Sequence, residues 1–303
     1  RPDPVPITIR ATDVPQSHES EWQEQVVREL GLDDWVRLEA GAELDCVGPH
    51  ARRALARHGL LWPFNVHFHA PMLELAEGGT LLTGIGGDEL WGSSRAPQFR
   101  RRRRVLRLAP FPVRRAVLAR NQQIDFPWLR EQAVAQTRRA AAGEAAAAPW
   151  TVRGRMAYTR GMRYVAVATD ALERLAADAG AAVVNPLLDL GVWAAVAAAA
   201  PRGGFTTRDA ALSLVAGHSL PAELVARRTK AGFDAVFFND HARALARDWD
   251  GGGVDAELVD AGALREHWLS GGTPDPHSLT LLQALWLRSA GDRVEEPVGR
   301  LGQ

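Results

Sequence analysis

The chain has 303 residues with 36 basic and 36 acidic side chains, so its formal net charge is zero. This length can bury a large core, and the neutral balance argues against a general nucleic-acid-binding protein. The single cysteine, Cys46, excludes an internal disulfide and a thiolate metal site, and no apolar run is long enough to cross a bilayer. We expect a cytoplasmic protein with neither a nucleic acid nor a membrane as partner.

Strand and helix patterns alternate over residues 1–95. Residues 5–11, 35–38 and 80–83 are rich in β-branched and apolar side chains, which predicts three short strands, the last of them compact and buried. A helix is predicted between the first two strands, and Pro71 opens another before the third. This order is typical of a parallel sheet with crossover helices.

Helical patterns dominate after residue 95. The spacing of apolar side chains predicts helices over 162–178 and 278–288, and the alanine-rich stretch 140–148 is predicted to be a solvated helix end or a linker. The fold class is therefore α/β. A parallel-sheet unit over 1–95 is followed by a mainly helical region over 96–303, and both are expected to belong to one domain.

A glycine-rich turn follows the third predicted strand. Gly84, Gly86 and Gly87 allow positive φ and close approach of the backbone to a ligand, at the carboxyl end of a strand where α/β sheets bind ligands. Asp88 and Glu89 come next and would repel a bare phosphate, but Mg²⁺ can lie between carboxylate and phosphate oxygens. The alternative is an ordinary tight turn with solvated acidic side chains.

The basic residues comprise 35 arginines and one lysine, Lys230, which lies near Arg227, Arg228 and Gly232. Arginine can replace lysine where a solvated positive charge is enough, but not where a compact ammonium group is required. Lys230 is thus a candidate for stabilising phosphate charge. The presence of the single lysine at this position could also be due to chance, and these basic residues could simply lie at the end of a helix.

Three segments together resemble a known family. Residues 83–92, Thr-Gly-Ile-Gly-Gly-Asp-Glu-Leu-Trp-Gly, resemble the Ser-Gly-x-Gly-(Gly/Ser)-Asp-Glu-x-x-Gly segment of the asparagine synthetase synthetase domain. Residues 183–189 interrupt the predicted helices, and 185–189 within them are similar to its Pro-Phe-Leu-Asp segment. Leu-Pro at 220–221, followed by Arg-x-Lys-x-Gly-Phe at 228–233, resembles its third segment. The three occur in the family's order and together span most of the chain.

The resemblance implies an ATP-pyrophosphatase fold, like that of the adenine nucleotide alpha hydrolases, and a use for ATP and Mg²⁺. Such domains convert a carboxylate to an acyl-adenylate, release pyrophosphate, and let an amine attack to form an amide. The family's nucleotide-binding positions match Thr83, Gly84, Gly86, Gly87 and, more loosely, Ile9.

Four further positions match the family's catalytic motifs. Asp88 would hold Mg²⁺ on the pyrophosphate, and Lys230 would stabilise charge on the α-phosphate and on the leaving pyrophosphate. Glu89 and Arg228 match the motifs without a defined role. The single lysine of this arginine-rich chain, a feature independent of the resemblance, matches the family's catalytic lysine position.

The chain departs from the family in three ways. No Ser-Gly-Gly-x-Asp-Ser phosphate loop precedes the strand at 5–11, so we expect a missing N-terminal segment or a companion chain to carry it. Asparagine synthetases have glutamate where this chain has Ile85, which can neither accept a proton nor bind ammonium. There is also no glutaminase domain.

These departures favour a peptide macrolactam (lasso) cyclase, in which the carboxylate and the amine belong to one precursor peptide. The alternatives are the synthetase domain of a glutamine-hydrolysing asparagine synthase and a non-catalytic relative. A β-lactam-forming synthetase is less favoured, because its Tyr/Glu base pair could use only Tyr158 or Tyr164, and neither lies in a recognisable context.

Two other features are interpreted as structural. His67 and His69 could ligate a metal, but no third ligand has a recognised spacing, so we predict pocket wall or helix entry. The basic run 100–104 is predicted to be a solvated helix face, with nucleic-acid binding or a grip on a precursor peptide as alternatives.

Overall fold

The computed structural model describes residues 4–32, 34–95, 106, 108–227 and 231–295, with side chains up to residue 290. The basic run 100–104, Arg228 and Lys230 lie outside the described residues. The fold is α/β with short parallel sheets and mostly helical content, as the sequence predicts.

The described strands form two parallel pairs. The strands are β1 (Ile7–Ala11), β2 (Val36–Ala40), β3 (Thr80–Leu82) and β4 (Ala182–Val184). β1 pairs with β2 over its whole length, from Ile7 opposite Val36 to Ala11 opposite Ala40. β3 pairs with β4, which lies about one hundred residues later in the chain. Within the described chain, these pairs remain separate two-stranded sheets.

Helices follow the strands in the first third of the chain and dominate afterwards. The early helices are α1 (Ser20–Glu29), α2 (Pro49–His58), α3 (Ala70–Leu75) and α4 (Gly87–Ser94). The later ones are α5 (Phe111–Arg120), α6 (Glu131–Ala147), α7 (Val152–Arg160), α8 (Arg163–Asp178), α9 (Leu190–Ala199), α10 (Arg208–Ala216), α11 (Ala222–Val225), α12 (Asp240–Asp248), α13 (Ala261–Leu269) and α14 (Pro276–Glu295). In the described part of the chain, no helix has the length and apolar composition needed to span a bilayer.

The sheet differs from the one that the sequence predicts. The third predicted strand, β3, pairs with β4 and not with the first two strands, and β4 itself was predicted only as an interruption between helices. β4 has three residues, Ala182–Val184, so it is too short for alternation of side chains to distinguish it from a loop. Its pairing depends on a tertiary contact that local sequence does not encode.

Two predictions about burial are only partly right, although 140–148 is confirmed as a helix end. Only Leu81 of β3 is buried, and its neighbour Leu82 is 60% exposed, because successive side chains point to opposite faces and the face with Leu82 is open to solvent. The alanine-rich stretch 140–148 is not a linker: nearly all of it lies in α6, where Ala142 and Ala146 are buried. Alanine favours helix and needs little space, so this helix can pack closely.

Separate hydrophobic clusters position the helix after β3. Leu90 and Trp91 of α4 pack with Met156 of α7 and Trp193 of α9. Leu81 of β3 packs in a neighbouring cluster with residues of α3 and α8. The turn between β3 and α4 is therefore held at both ends by buried side chains, which restricts its motion.

A buried carboxylate joins the early loops to the C-terminal helices. Asp45 is fully buried and accepts hydrogen bonds from the backbone N–H groups of Val47 (2.9 Å), Asn239 (2.8 Å) and Ala242 (3.0 Å). Burial raises the pKa of Asp45, against the lowering effect of these bonds. Burial also raises the pKa of the adjacent Cys46 thiol well above its ordinary value, so the thiol stays protonated and is a poor nucleophile.

Candidate active site

The first and second resembling segments meet at the carboxyl ends of β3 and β4. The Thr83 N–H donates to the Val184 carbonyl at 3.0 Å, and the Thr83 hydroxyl donates to Asn185 Oδ1 at 2.5 Å. The same hydroxyl accepts the Ile85 N–H at 3.2 Å. Parallel strands place their carboxyl ends at one edge, so two segments separated by about one hundred residues form one structural unit there.

The three glycines of the turn have different roles. Gly86 has a φ of +92°, and a Cβ there would lie 2.4 Å from Leu188 Cδ2. A Cβ on Gly87 would lie 3.2 Å from Leu187 Cδ1, whereas one on Gly84 would meet no atom within 4 Å. The predicted positive φ is confirmed for Gly86 and is wrong for Gly84 and Gly87. Close approach of these glycines to a ligand stays a prediction. Gly86 and Gly87 allow close packing on residues 187–188, and Gly84 faces open space.

This difference gives a testable contrast in stability. Gly86→Ala should lower the free energy of unfolding by about 2–4 kcal/mol, because it combines an unfavourable left-handed conformation with overlap on Leu188. Gly84→Ala should leave stability nearly unchanged, since its methyl group projects into open space. Urea denaturation of both variants measures the contrast, and equal stability of the two proteins would contradict this structure of the turn.

Residues 185–189 hold the glycine turn in position through contacts with neighbouring helices. Asp189 Oδ1 caps α9 by accepting the N–H groups of Gly191 (2.7 Å) and Val192 (3.1 Å). The Leu187 carbonyl accepts the Trp193 indole N–H at 2.7 Å, and the Leu188 carbonyl accepts Arg160 Nε at 2.9 Å. The acidic residue of this motif therefore has a structural role here, and the motif fixes the position of the glycine turn.

A cavity of about 710 Å³, here named the turn cavity, lies against this unit. Its lining includes the backbone from Gly84 to Gly87 and the side chains of Asp88 and Glu89. The rest of the lining is mostly apolar and includes Trp62, Pro63, Val66, Val165, Leu187 and Leu188. A mostly apolar cavity of this size with a few polar groups at one side is typical of a small-molecule or peptide-segment site.

Tyr164, which the sequence offered as a possible member of a Tyr/Glu pair without a recognisable context, lies beside Glu89 in the structure. Its hydroxyl hydrogen-bonds to the Glu89 carboxylate in the wall of the turn cavity. Burial is the larger cause and the negative charge of Glu89 the smaller one, and together they raise the pKa of Tyr164 to about 12. The phenol therefore stays protonated and donates to Glu89 at neutral pH. The tyrosine starts α8, about seventy-five residues from Glu89, so no local pattern signals the pair.

A second cavity of about 780 Å³, here named the α1 cavity, adjoins the first and shares Asp88 and Arg208 with it. Trp22, Val26 and Val27 of α1 form one wall. Arg227 and Ala231 also line it. These two residues flank the stretch 228–230, so both described neighbours of Arg228–Lys230 lie on the cavity that Asp88 lines.

The charges of the α1 cavity are partly neutralised within the protein. Arg227 forms a 2.5 Å ion pair with Glu19, and its guanidinium lies over the Trp22 ring. Asp209 and Arg208 follow one another at the start of α10 and both line the cavity. The cavity therefore combines an apolar wall on α1 with groups of both charges on the opposite side.

Ile9 does not line either cavity. Its side chain is 6% exposed and packs in a buried cluster with Ala11, Leu44 and Val236. The preceding residue, Thr8, lines the α1 cavity instead. Side chains alternate along a strand, so Thr8 and Ile9 point to opposite faces. A nucleotide contact of Ile9 stays a prediction.

His67 and His69 are engaged with the backbone. His67 is buried, with Nε2 at 2.9 Å from the Leu44 carbonyl and Nδ1 at 3.2 Å from the Phe64 carbonyl. His69 Nδ1 lies 3.1 Å from the Val66 carbonyl, and this residue lines the turn cavity. Among the described residues, no group of three histidine, cysteine, aspartate or glutamate side chains is arranged to hold a metal ion.

Burial of His67 should make the protein sensitive to acid. Desolvation lowers the pKa of His67 from 6.5 to about 4, so between these values the unfolded chain binds a proton that the folded chain does not. Stability should therefore fall as the pH drops through this window, by about 3 kcal/mol from His67 alone. His50 and His69, whose pKa values burial also lowers, act in the same direction.

The variant His67→Gln isolates this contribution. Urea denaturation at pH 7 and at pH 4.5 should show a smaller loss of stability in the variant than in the wild type. Replacement of His218, an exposed histidine, serves as the control and should leave the pH dependence close to wild type. An unchanged loss in His67→Gln would contradict the burial of a neutral imidazole.

The comparison with known families agrees with the resemblance of the motifs. The chain matches the model of the asparagine synthase family over residues 6–288, which includes β1 to β4 and nearly all of the helices. No significant match was found among curated proteins or among solved structures. The chain belongs to the asparagine synthase family, a family of ATP-dependent enzymes that form amide bonds.

Proposed function

We propose that this chain is the synthetase part of an AMP-forming ligase that closes an amide bond within a peptide. The observation that carries the proposal is the shared lining of one cavity. Asp88 belongs to the first resembling segment, and Arg227 and Ala231 flank Arg228 and Lys230 of the third. The lining of one cavity thus includes Asp88 of the first segment and the described residues on either side of 228–230, which supports a common reaction centre.

In this proposal, the phosphates of ATP lie where the two cavities meet, beside Asp88. Gly84 borders the nucleotide with its exposed backbone, while Thr83, Gly86 and Gly87 keep the turn in place through the contacts described above. Lys230 neutralises charge on the α-phosphate and on the leaving pyrophosphate. Arg228 adds a second positive charge nearby.

The residues present fit a Mg²⁺ ion that is held mainly by substrate. Asp88 is an exposed carboxylate at the junction of the cavities, and the described chain contains no cluster of three ligands for an all-protein site. Mg²⁺ commonly binds through one or two carboxylates together with phosphate oxygens and water. Bound in this way, it would neutralise part of the phosphate charge.

The proposed chemistry has two steps. A carboxylate oxygen of the substrate attacks the α-phosphorus, the bond to pyrophosphate breaks, and an acyl-adenylate forms. An amine nitrogen then attacks the acyl carbon, AMP leaves with the bridging oxygen, and the nitrogen loses a proton. The protein contributes by aligning the reacting groups and by stabilising charge, both of which are large effects in acyl and phosphoryl transfer.

The turn cavity supports a peptide substrate in preference to aspartate and ammonia. Aspartate is small and carries three charged groups, whereas most of the cavity wall is apolar. The cavity volume of about 710 Å³ can hold several side chains of a peptide substrate. Ile85 lines the cavity at the position where asparagine synthetases have glutamate. An apolar residue there gives no binding group for ammonium and favours an amine that belongs to a larger molecule.

Glu89 is the proposed acceptor for the proton of the attacking amine. It lines the turn cavity, and the Tyr164 hydroxyl donates to it and holds its carboxylate in place. The pair also favours a second candidate function, closure of a small lactam ring, because a β-lactam-forming synthetase uses a Tyr/Glu pair. Both candidates require a carboxylate and an amine in one substrate.

A phosphate-binding loop must complete the site, and we infer that another segment or a companion chain supplies it. Within the described chain, β1 pairs only with β2 and β3 only with β4, so both outer edges of each sheet are unpaired. Parallel sheets usually have more strands and are covered on both faces. An added strand that carries the loop could pair with such an edge.

The proposal is tested with the full-length natural protein and any companion chain that it requires. Incubation with ATP, Mg²⁺ and synthetic peptides that carry a free N-terminus and one aspartate or glutamate should give a product lighter by one water, and one AMP for each product. Mass spectrometry detects both. Asparagine formed from aspartate and ammonia would establish the asparagine synthase alternative, and absence of AMP with all substrates would establish the non-catalytic one.

A further inference from the structure

Arg208 occupies a distinctive place between the two cavities. It is the first residue of α10, and its exposed side chain lines the turn cavity and the α1 cavity alike. The other residue common to the two linings is Asp88. A cation and a carboxylate therefore lie at the passage through which a substrate extending from one cavity into the other must pass.

The positive charge of Arg208 is not used within the described protein. None of the described side chains or carbonyls forms a hydrogen bond or ion pair with its guanidinium, whereas Arg227 in the same cavity is paired with Glu19. The charge is also unfavourable for its own helix, because cations are disfavoured in the first turn, where the helix dipole is positive. Thr207 caps this turn through its hydroxyl, so the arginine has no capping role.

We propose that Arg208 binds the reacting anion of the acid substrate: first its free carboxylate, and then the phosphate of the acyl-adenylate. The guanidinium presents paired N–H donors that match the oxygen spacing of both groups. This inference rests on the proposed function. It adds a binding residue that lies outside the three resembling segments, and it places the substrate carboxyl group at the junction of the cavities.

The inference predicts selectivity in binding that does not depend on catalysis. In the absence of ATP, a synthetic peptide with one aspartate should bind more tightly than the same peptide with asparagine at that position. Trp62 and Trp91 line the turn cavity, so tryptophan fluorescence can report binding of either peptide. Arg208→Gln should reduce the preference for the aspartate peptide by about tenfold or more, the usual effect of losing a charge-assisted hydrogen bond.

Two further variants separate binding from a general effect. Arg208→Lys keeps the charge without the paired donors and should retain part of the preference. Arg202→Gln removes an exposed arginine that lines neither cavity, and it should bind both peptides like the wild type. In ATP–pyrophosphate exchange, Arg208→Gln should raise the KM for the acid much more than the KM for ATP.

The outcomes distinguish this inference from the proposed function. If the wild-type protein catalyses exchange and Arg208→Gln keeps the wild-type peptide preference and KM for the acid, the role of Arg208 is overturned and the ligase assignment stands. If the wild type distinguishes the two peptides in an Arg208-dependent way but catalyses no exchange, the binding site stands and the proposed function fails. Equal binding of the two peptides by the wild type would also overturn the inference.

Discussion

Asp88→Asn should raise the KM for Mg-ATP by at least about tenfold to a hundredfold and lower the exchange rate between ATP and pyrophosphate. Asparagine keeps the size of the side chain but removes the negative charge that would hold Mg²⁺. Even the loss of a residue that only hydrogen-bonds to a metal ligand lowers metal affinity by about tenfold to a hundredfold. Asp88 is exposed at the junction of the two cavities, so the substitution should leave the free energy of unfolding close to wild type.

Asp209→Asn is the matched control for this variant, because it removes an acidic side chain from the same α1 cavity. Exchange measured over a series of Mg²⁺ concentrations should be near wild type in the control and should require more Mg²⁺ in Asp88→Asn. Unchanged Mg²⁺ dependence in Asp88→Asn would remove the metal-binding role of this residue, whatever the control shows.

Lys230→Arg should lower the rate of ATP–pyrophosphate exchange by about 100- to 1000-fold, the usual cost of losing one group that stabilises transition-state charge. The substitution preserves positive charge, so the expected loss comes from geometry: a broad planar guanidinium replaces a compact ammonium at the end of a flexible stem. Circular dichroism and thermal unfolding should show a folded protein, since an arginine is tolerated at 35 other positions of this chain.

The reverse substitution, arginine to lysine, at nearby residue 227 provides the control. Arg227→Lys should have a small effect, because a lysine can keep the ion pair with Glu19. Wild-type exchange rates in Lys230→Arg would contradict the role of this lysine in stabilising phosphate charge. The presence of one lysine in an arginine-rich chain would then be explained by chance.

The elements that the sequence predicts well are those with local signals. The strand at 80–82 lies between glycines and is confirmed, and Gly86 in the turn that follows takes a positive φ. The helix that begins at Gly87 was not predicted. The helix over 163–178 has apolar residues at helical spacing and is confirmed with nearly the predicted bounds. In both places, backbone geometry and side-chain periodicity act over a few residues, which is the range that a sequence pattern covers.

The features that the sequence does not reveal depend on contacts between distant segments. β4 is a strand only because β3 pairs with it, and Tyr164 is a site residue only because α8 brings its hydroxyl to Glu89. Arg208 is one arginine among 35 in the sequence, and its position between two cavities becomes visible only in three dimensions. Resemblance to the family identified the motifs but could not supply these neighbours.

The structure also shows that the turn proposed as part of the reaction centre is held firmly in place. Thr83 is fixed to β4, Gly86 is packed on Leu188, and α4 is anchored through Leu90 and Trp91 in a buried cluster. The exposed backbone at Gly84 and the acidic side chains that follow therefore project from a rigid support. Preorganisation of this kind lets charged groups stabilise a transition state without reorganising during the reaction.

The fate of the carboxylate oxygen tests the central claim most directly. A synthetic peptide whose side-chain carboxyl group carries the heavy isotope at both oxygens is cyclised by the full-length protein with ATP and Mg²⁺, and the nucleotide product is analysed by mass spectrometry. Activation as an acyl-adenylate predicts that one labelled oxygen appears in AMP for each amide bond formed. Label in inorganic phosphate with ADP as the nucleotide product, or unlabelled AMP, would contradict the account.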